Sequence, residues 1–132
     1  MADETAGRIE GSGGVFFKAR DPDALRVRYV EHLGIPQAAG TTGFCRRHDL
    51  APERRGHTVW SPWPDDTHCF GPGDSGWMIN YRVDDLDAVL ARLRAEGVDV
   101  DDRRADSEFG RFGWGFDAEG NRFELWEPPL GQ

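Results

Sequence analysis

Cysteine is scarce in this sequence of 132 residues, which contains only Cys45 and Cys69. Two cysteines are too few for the disulfide framework of a small secreted domain, so we expect two reduced thiols in the cytoplasm. Long apolar runs are also missing, since no stretch approaches the ~18 apolar residues of a membrane span. The N-terminal residues lack the basic and apolar regions of a secretory signal. The sequence therefore predicts neither membrane insertion nor export.

Basic residues are outnumbered by acidic ones, 16 to 24, which gives a formal net charge of -8. A surface with this charge repels phosphate backbones and anionic lipid headgroups, so we expect no nucleic acid or membrane partner. Five Trp, eight Phe and a hydrophobic fraction of 38% indicate a folded core instead. The length is that of one domain.

A strand followed by a capped helix is predicted near the N-terminus. The apolar run at 13–19 suits a strand. Asp21 can cap a helix because its carboxylate can accept hydrogen bonds from the free amides of the first turn. Pro22 suits the first helical position, and Gly34 suits a left-handed C-terminal cap.

The same pattern returns in the second half of the chain. An alternating run at 77–83 precedes Asp84 or Asp85 as the cap, and Gly97 ends the helix. The caps are 64 residues apart and the terminal glycines 63, which indicates an internal repeat of about half the chain. The apolar faces of the two predicted helices consist of Leu25, Tyr29, Val30 and Leu33 in the first and Leu86, Val89, Leu90 and Leu93 in the second.

Each predicted helix is followed by three shorter extended stretches. They lie near 36–39, 42–48 and 57–61 in the first copy and near 98–102, 110–116 and 122–127 in the second. The predicted organisation is a flexible tail over 1–12 and one domain over 13–129. The domain divides into repeat one at about 13–62, a loop at 63–76 and repeat two at about 77–129.

Three segments resemble the vicinal-oxygen-chelate superfamily, which includes glyoxalases, bleomycin-resistance proteins and extradiol dioxygenases. The segment 116–128, FDAEGNRFELWEP, resembles the closing hairpin of that family, although Ala118 stands where Pro is commoner. The run 78–86 resembles the start of its second helix, and 21–34 its first helix. The resemblance spans 13–129 and implies an α+β fold of two βαβββ repeats. These form a curved mixed sheet with a cup, and the helices lie on the convex side.

Relatives that use a divalent metal hold it with four side chains that point into the cup. In this chain the resemblance places the last-strand position of the second repeat at Glu124, and matching Pro62 to Pro128 places its first-repeat counterpart at Thr58. Counting back seven residues from the helix caps gives the two first-strand positions, Gly14 and Met78.

Three of these four positions depart from the metal-binding pattern. Glycine offers no ligand, a thioether is soft and a hydroxyl is a weak donor, whereas these metals prefer carboxylate or imidazole. We therefore expect no metal and no other cofactor. The alternative is a non-standard divalent-metal site on Glu124 and His57, since a register change of one residue would turn His57 inward.

Strand alternation predicts the lining of the cup around Glu124. Apolar walls with a few convergent polar groups are typical of a small-molecule site. Two alternatives stay open, an ion pair between Glu124 and Arg82 and a cup filled by Trp60 and Trp126. The aromatic stripe of Phe112, Trp114 and Phe116 is interpreted as core rather than as a ligand platform, although the glycines between its members would let a ligand or a partner chain approach. The predicted ligand-binding residues are Phe16, Lys18, Trp60, Met78, Asn80, Arg82 and Trp126.

The resemblance implies three functions. The first is a bleomycin-resistance-type protein that binds a small, planar or carbonyl-containing molecule in the aromatic cup without metal. The second is a glyoxalase- or isomerase-type lyase with Glu124 as catalytic general base, which requires a raised pKa of that carboxyl. The third is an oligomerisation or regulatory module with a filled cup. The sequence does not decide whether the chain is an enzyme, and a homodimer is expected on general grounds.

Overall fold

The computed structural model describes residues 7–35, 37–38, 41–48, 51–71 and 75–129, with side chains described outside 37–58. Within these ranges the chain forms two α-helices and eight β-strands. In chain order the elements are β1 Ile9–Ala19, α1 Pro22–Leu33, β2 Gln37–Ala38, β3 Thr41–His48, β4 Ala51–Pro64, β5 Trp77–Val83, α2 Leu86–Ala95, β6 Val100–Ser107, β7 Gly110–Phe116 and β8 Arg122–Glu127.

The strands form one mixed sheet in the order β2-β3-β4-β1-β5-β8-β7-β6. The order is symmetric about the centre, where β1 and β5, the first strands of the two repeats, pair antiparallel. Each first strand pairs in parallel with the last strand of its own repeat, β1 with β4 and β5 with β8. The predicted α+β fold of two βαβββ units is confirmed.

Both helices begin as the sequence predicts. Asp21 Oδ1 accepts a hydrogen bond from Ala24 N at 3.1 Å, and Asp85 Oδ1 accepts one from Ala88 N at 3.1 Å. These bonds satisfy amides that have no partner inside the helix. Gly34 ends α1 in the left-handed conformation, at φ 69°, which glycine adopts without the penalty of a Cβ atom.

The main core lies between α2 and the sheet. Leu86, Val89 and Leu90 are almost fully buried against Val83 of β5 and Leu125 of β8. The absence of a side chain at position 113 allows this close approach, because a Cβ atom there would lie 3.2–3.4 Å from Leu86 and Leu90. The apolar face predicted for the second helix therefore packs as expected.

The first helix is held less tightly. None of the residues of α1 is buried, and Leu33, predicted on its apolar face, is 69% exposed. The main aromatic contact of α1 joins Tyr29 to Trp60 of β4, with 4.7 Å between ring centroids. Phe17 of β1 packs against the same Trp60 at 5.2 Å. The two helices thus cover the same face of the sheet with unequal burial.

Three element boundaries differ from the prediction. β1 begins at Ile9, so 9–12, predicted as flexible tail, form a strand paired with β5. β4 continues to Pro64, into the predicted loop, because 62–64 pair in parallel with 17–19 of β1. β6 extends to Ser107. At these boundaries the composition favours loops, but pairing with the main chain of a neighbouring strand extends β1, β4 and β6. Neither helix of the described chain has the length and apolar character needed to cross a membrane.

The unequal burial of the helices predicts unequal effects of one substitution. Leu90→Ala should lower the free energy of unfolding by about 2–5 kcal/mol, because it removes a buried side chain and leaves a cavity. Leu33→Ala, the same change at an exposed position of α1, should change it by no more than about 0.5 kcal/mol. Urea denaturation measures both values. Equal losses at the two positions would contradict the described packing.

Candidate functional site

The face of the sheet opposite the helices, here called the site face, carries a continuous set of aromatic and polar side chains. Its members alternate along each strand with residues that pack under the helices. Pairing between neighbouring strands aligns these positions across the sheet. The site face consists of Phe16 and Lys18 of β1, Val59 and Trp63 of β4, Met78, Asn80 and Arg82 of β5, Arg122, Glu124 and Trp126 of β8, and Phe112, Trp114 and Phe116 of β7.

Glu124 lies at the centre of the site face and is 6% exposed. Strand pairing places Asn80 of β5 on one side of it and Trp114 of β7 on the other. Asn80 Nδ2 donates a hydrogen bond to Glu124 Oε1 at 2.6 Å, and Trp114 Nε1 donates one to Glu124 Oε2 at 2.9 Å. Each carboxyl oxygen therefore has one fixed donor and keeps further acceptor capacity.

Burial determines the charge state of this carboxyl. Removal from water raises the pKa of Glu124 from its ordinary value of 4.5 to about 7, because the ionised form loses more hydration than the neutral form. The hydrogen bonds from Asn80 and Trp114 and the charge of Arg122 act in the opposite direction and lower this pKa. A carboxyl that titrates near neutral pH can both donate and accept a proton.

Gly13 allows the backbone of β1 to approach this centre. A Cβ atom on Gly13 would lie 2.0 Å from Asn80 Oδ1 and 3.0 Å from the ring of Trp126. The side chain of Asn80 is consequently enclosed, with 2% exposure. Its Oδ1 has no hydrogen-bond partner in the described chain. Any residue other than glycine at position 13 would displace Asn80 and thereby Glu124.

The first-repeat side of the site face is apolar. Phe16 and Met78 are buried together with Phe70, which comes from the segment between the two repeats. Trp63 packs on this group, with 5.5 Å between its ring centroid and that of Phe16 and 5.9 Å to that of Phe70. Lys18 Nζ lies 5.9 Å from the centroid of the Phe70 ring. Phe70 thus covers a part of the surface that the sequence predicts as open cup.

The second-repeat side combines aromatic rings with a partly exposed ion pair. The rings of Phe112 and Trp126 are nearly parallel, 9° apart, with centroids 6.4 Å from each other. Arg82 lies over Trp126, with 5.9 Å from its Cζ to the ring centroid. Arg82 Nε is 3.3 Å from Glu10 Oε1. Arg82 therefore pairs with Glu10, and Glu124 with Asn80 and Trp114, so the ion pair considered between Arg82 and Glu124 is not formed.

The orientation predicted for Trp60 is wrong. Its ring contacts Phe17 and Tyr29, which places it on the helix face, while Trp63 occupies the site face in the same strand. The other predicted binding residues, Phe16, Lys18, Met78, Asn80, Arg82 and Trp126, lie together with Glu124 on the site face. Their role in binding stays a prediction.

The error has a physical cause in the register of β4. Asn80 pairs with Glu124 in the second repeat, and the residue 64 positions before Asn80 is Phe16, which pairs with Ser61. Ser61 is therefore the counterpart of Glu124, three residues beyond the predicted Thr58. The match of Pro62 to Pro128 is misleading, because Pro62 lies inside β4 whereas residue 128 follows β8. Because this shift of three residues is an odd number, the side chains of β4 predicted to face the site face the helices, and those predicted to face the helices face the site.

The described residues do not fit the metal site of the superfamily. A side chain at Gly14 is excluded, since a Cβ atom there would lie 2.2 Å from the carbonyl oxygen of Val59. Met78 is fully buried in the apolar cluster, and both oxygens of Glu124 already accept hydrogen bonds. The described chain has no group of three or more His, Cys, Asp or Glu side chains that could hold an ion. The side chains of 57 and 58 lie outside the described residues.

The aromatic stripe of β7 and Arg122 of β8 are not among the predicted binding residues, although both lie on the site face. Trp114 of the stripe packs against the buried cluster of Phe16, Phe70 and Met78, as a core residue does, and the alternating glycines face α2 and Phe123. The signal available in the sequence was the pair Gly113 and Gly115, because residues without side chains suit the face of a strand on which other elements pack closely. Arg122 lies two residues before Glu124 in β8, so the alternation that places Trp126 on the site face also places Arg122 there.

The raised pKa of Glu124 predicts a pH dependence of stability. Because the folded-state pKa of about 7 exceeds the ordinary value of 4.5, the folded protein binds more protons than the unfolded chain between these values. The stabilisation is complete below about pH 4.5 and is lost as the pH rises through about 7. Over this range the free energy of unfolding should fall by about 3 kcal/mol relative to that of Glu124→Gln.

Urea denaturation at a series of pH values measures this difference. Glutamine is a suitable replacement, because reversing the amide of Asn80 lets the new side chain keep two hydrogen bonds. Glu119→Gln, at an exposed turn, is the matched control and should follow the unsubstituted protein at every pH. Parallel curves for Glu124→Gln and the unsubstituted protein would contradict the raised pKa.

No family model matches the chain, and no curated protein matches it. Solved structures do match the chain. A single-substitution variant of Streptomyces coelicolor methylmalonyl-CoA epimerase, in complex with 2-nitronate-propionyl-CoA, is 17% identical, with 92% of this chain and 99% of that chain covered and a TM-score of 0.66. Methylmalonyl-CoA epimerase from Mycobacterium tuberculosis is 21% identical, with 96% and 93% covered and a TM-score of 0.62. These similarities show that the chain has the glyoxalase-like fold of these structures.

Proposed function

We propose that this chain binds a small, planar or carbonyl-containing molecule on the site face without the help of a divalent metal. The observation that carries the proposal is Glu124, a buried carboxyl whose pKa is raised to about 7 and which lies among aromatic rings. A buried ionisable group with a perturbed pKa is costly to retain and is concentrated at functional sites.

The surroundings of Glu124 supply the two kinds of contact that such a molecule needs. In its neutral form the carboxyl can donate a hydrogen bond to a carbonyl oxygen, and in its ionised form it can accept one. Phe112 and Trp114 are half-buried on the same face and offer ring surfaces for a planar group to stack on. Trp126, which is 6% exposed, supports the ring of Phe112. The donor set argues against metal-assisted binding, since Gly14 and Met78 supply no hard ligand.

Neutral aromatic carbonyl compounds are suitable probes of this proposal. Acetophenone or methyl phenylpyruvate should raise the melting temperature and change the tryptophan fluorescence in a saturable way. Phe112→Leu, on the site face, should weaken binding about three- to tenfold by removing a ring contact. The matched control Phe123→Leu, under α2, should lower stability but leave the dissociation constant unchanged.

Treatment with EDTA should leave both affinity and melting temperature unaltered, because no described residue is expected to recruit an ion to the ligand. Loss of binding after chelation, restored by Zn²⁺, Mn²⁺ or Fe²⁺, would contradict the metal-free part of the proposal. Equal effects of the two phenylalanine substitutions on affinity would contradict the location of the site.

A second candidate function is a lyase or isomerase in which Glu124 is the general base. The feature that favours it is again the burial of Glu124, which raises its pKa to about 7, so that the carboxylate can accept a proton and return it near neutral pH. Glu124 would remove a proton from the carbon next to a carbonyl, and the electron pair of the broken C–H bond would form an enolate. The proton would then return to the same carbon, from either face, as the carbonyl is formed again. The fold is shared with methylmalonyl-CoA epimerases, which makes this chemistry worth testing.

Deuterium incorporation separates this enzyme from the binding protein. In D₂O the chain should accelerate C–H exchange of methylmalonyl-CoA or methyl phenylpyruvate, as followed by proton NMR. Glu124→Gln should reduce the rate by about 10²- to 10⁴-fold, whereas Glu119→Gln should not. Saturable binding without any accelerated exchange would exclude catalysis of these substrates and leave the binding function.

A further inference from the structure

Arg122 combines deep burial with an incomplete set of hydrogen bonds. Its side chain is 9% exposed, and Nη1 donates a hydrogen bond to Asp101 Oδ2 at 3.0 Å. Its Nε is also buried and has no hydrogen-bond partner in the part of the chain that the structure describes. Buried polar atoms in native proteins are nearly always paired. The acceptor therefore lies outside the described residues, and a bound molecule is able to supply it.

The guanidinium is fixed in place rather than free to seek a partner elsewhere. Its Cζ lies 5.4 Å from the ring centroid of Trp114 and 5.5 Å from that of Phe116. Gly71 closes over the stem, since a Cβ atom there would lie 3.3 Å from Arg122 Cδ. A group held this firmly loses little entropy when a ligand binds.

From these contacts we infer that Arg122 binds a carboxylate of the ligand. Asp101 contacts Nη1 alone, which leaves the edge formed by Nε and Nη2. This edge presents two parallel N–H groups, whose geometry matches the two oxygens of a carboxylate. A single planar anion suits the site better than a dianion, because Asp101 already offsets part of the charge. The inference rests on the proposed function and narrows its ligand class.

The position of Arg122 relative to Glu124 defines this class further. The two residues are neighbours on the site face of β8, and residues two apart in a strand are separated by about 7 Å. A ligand bound to both therefore carries a carboxylate and a second hydrogen-bonding group a few bonds away. Oxo-carboxylic acids with a planar substituent meet this description, with the oxo group at Glu124 and the ring among the site-face aromatics.

The test compares one acid with its neutral ester. Phenylpyruvate should bind about 10- to 100-fold more tightly than methyl phenylpyruvate, as expected for a buried hydrogen bond to a charged group. Arg122→Gln should remove this preference, so that the acid and the ester bind to the variant with similar affinity. Arg94→Gln, the same change on the exposed surface of α2, should retain it. Titration calorimetry measures each dissociation constant.

A second variant keeps the test decisive if Arg122→Gln does not fold. Asp101→Asn removes the internal counter-ion of Arg122 and should strengthen phenylpyruvate binding by about threefold or more, with no effect on the ester. If the ester binds but the acid shows no preference, or if the preference survives in Arg122→Gln, the assignment of Arg122 is overturned and the binding function stands. If neither the acid nor the ester binds, the proposed function fails as well.

Discussion

The antiparallel pairing of β1 with β5 is the constraint on which the rest of the structure depends. It joins the two repeats into one sheet, and it brings Gly13 against the side chain of Asn80. Asn80 in turn pairs with Glu124 across the parallel β5–β8 ladder and donates the hydrogen bond of 2.6 Å to its carboxyl. The hydrogen-bond donors of this buried acid come from repeat two, and the junction between the repeats adds the backbone of Gly13, which encloses Asn80.

Burial of Glu124 opposes stability near neutral pH, which indicates that the carboxyl serves a purpose other than holding the fold together. An ionised carboxyl is costly to remove from water, and a well-packed apolar residue at position 124 would avoid that cost. The chain instead surrounds the carboxyl with two donors and with the aromatic side chains of β7 and β8. The helix face shows the contrast, because Leu86, Val89 and Leu90 pack there without any buried charge. The buried polar features are thus concentrated on the site face, beside the apolar cluster of Phe16, Phe70 and Met78.

Local signals predicted the fold well. The caps Asp21 and Asp85 are found as expected, because capping depends on residues within one helical turn. The placement of Trp60 failed, because the register of β4 is fixed by pairing with β1 and not by any nearby residue. Phe70 could not be placed from its sequence neighbours, since it reaches the site face through tertiary packing. Arg122 could have been predicted on the site face, because it alternates along β8 with the same spacing that places Glu124 and Trp126 there. Side-chain direction thus follows from sequence only where the strand register is known.

The central claim is that the carboxyl of Glu124 is enclosed on the site face and changes its charge near neutral pH. The most direct measurement follows the δ-carbon of this residue by NMR in protein labelled with ¹³C-glutamate, with Glu124→Gln used to assign the signal. We expect this carbon to titrate with a midpoint near pH 7, because burial raises the pKa of Glu124 from 4.5 to about 7. A midpoint at or below 4.5 would mean that the carboxyl is solvated and ionised, and would contradict both the site and the function proposed for it.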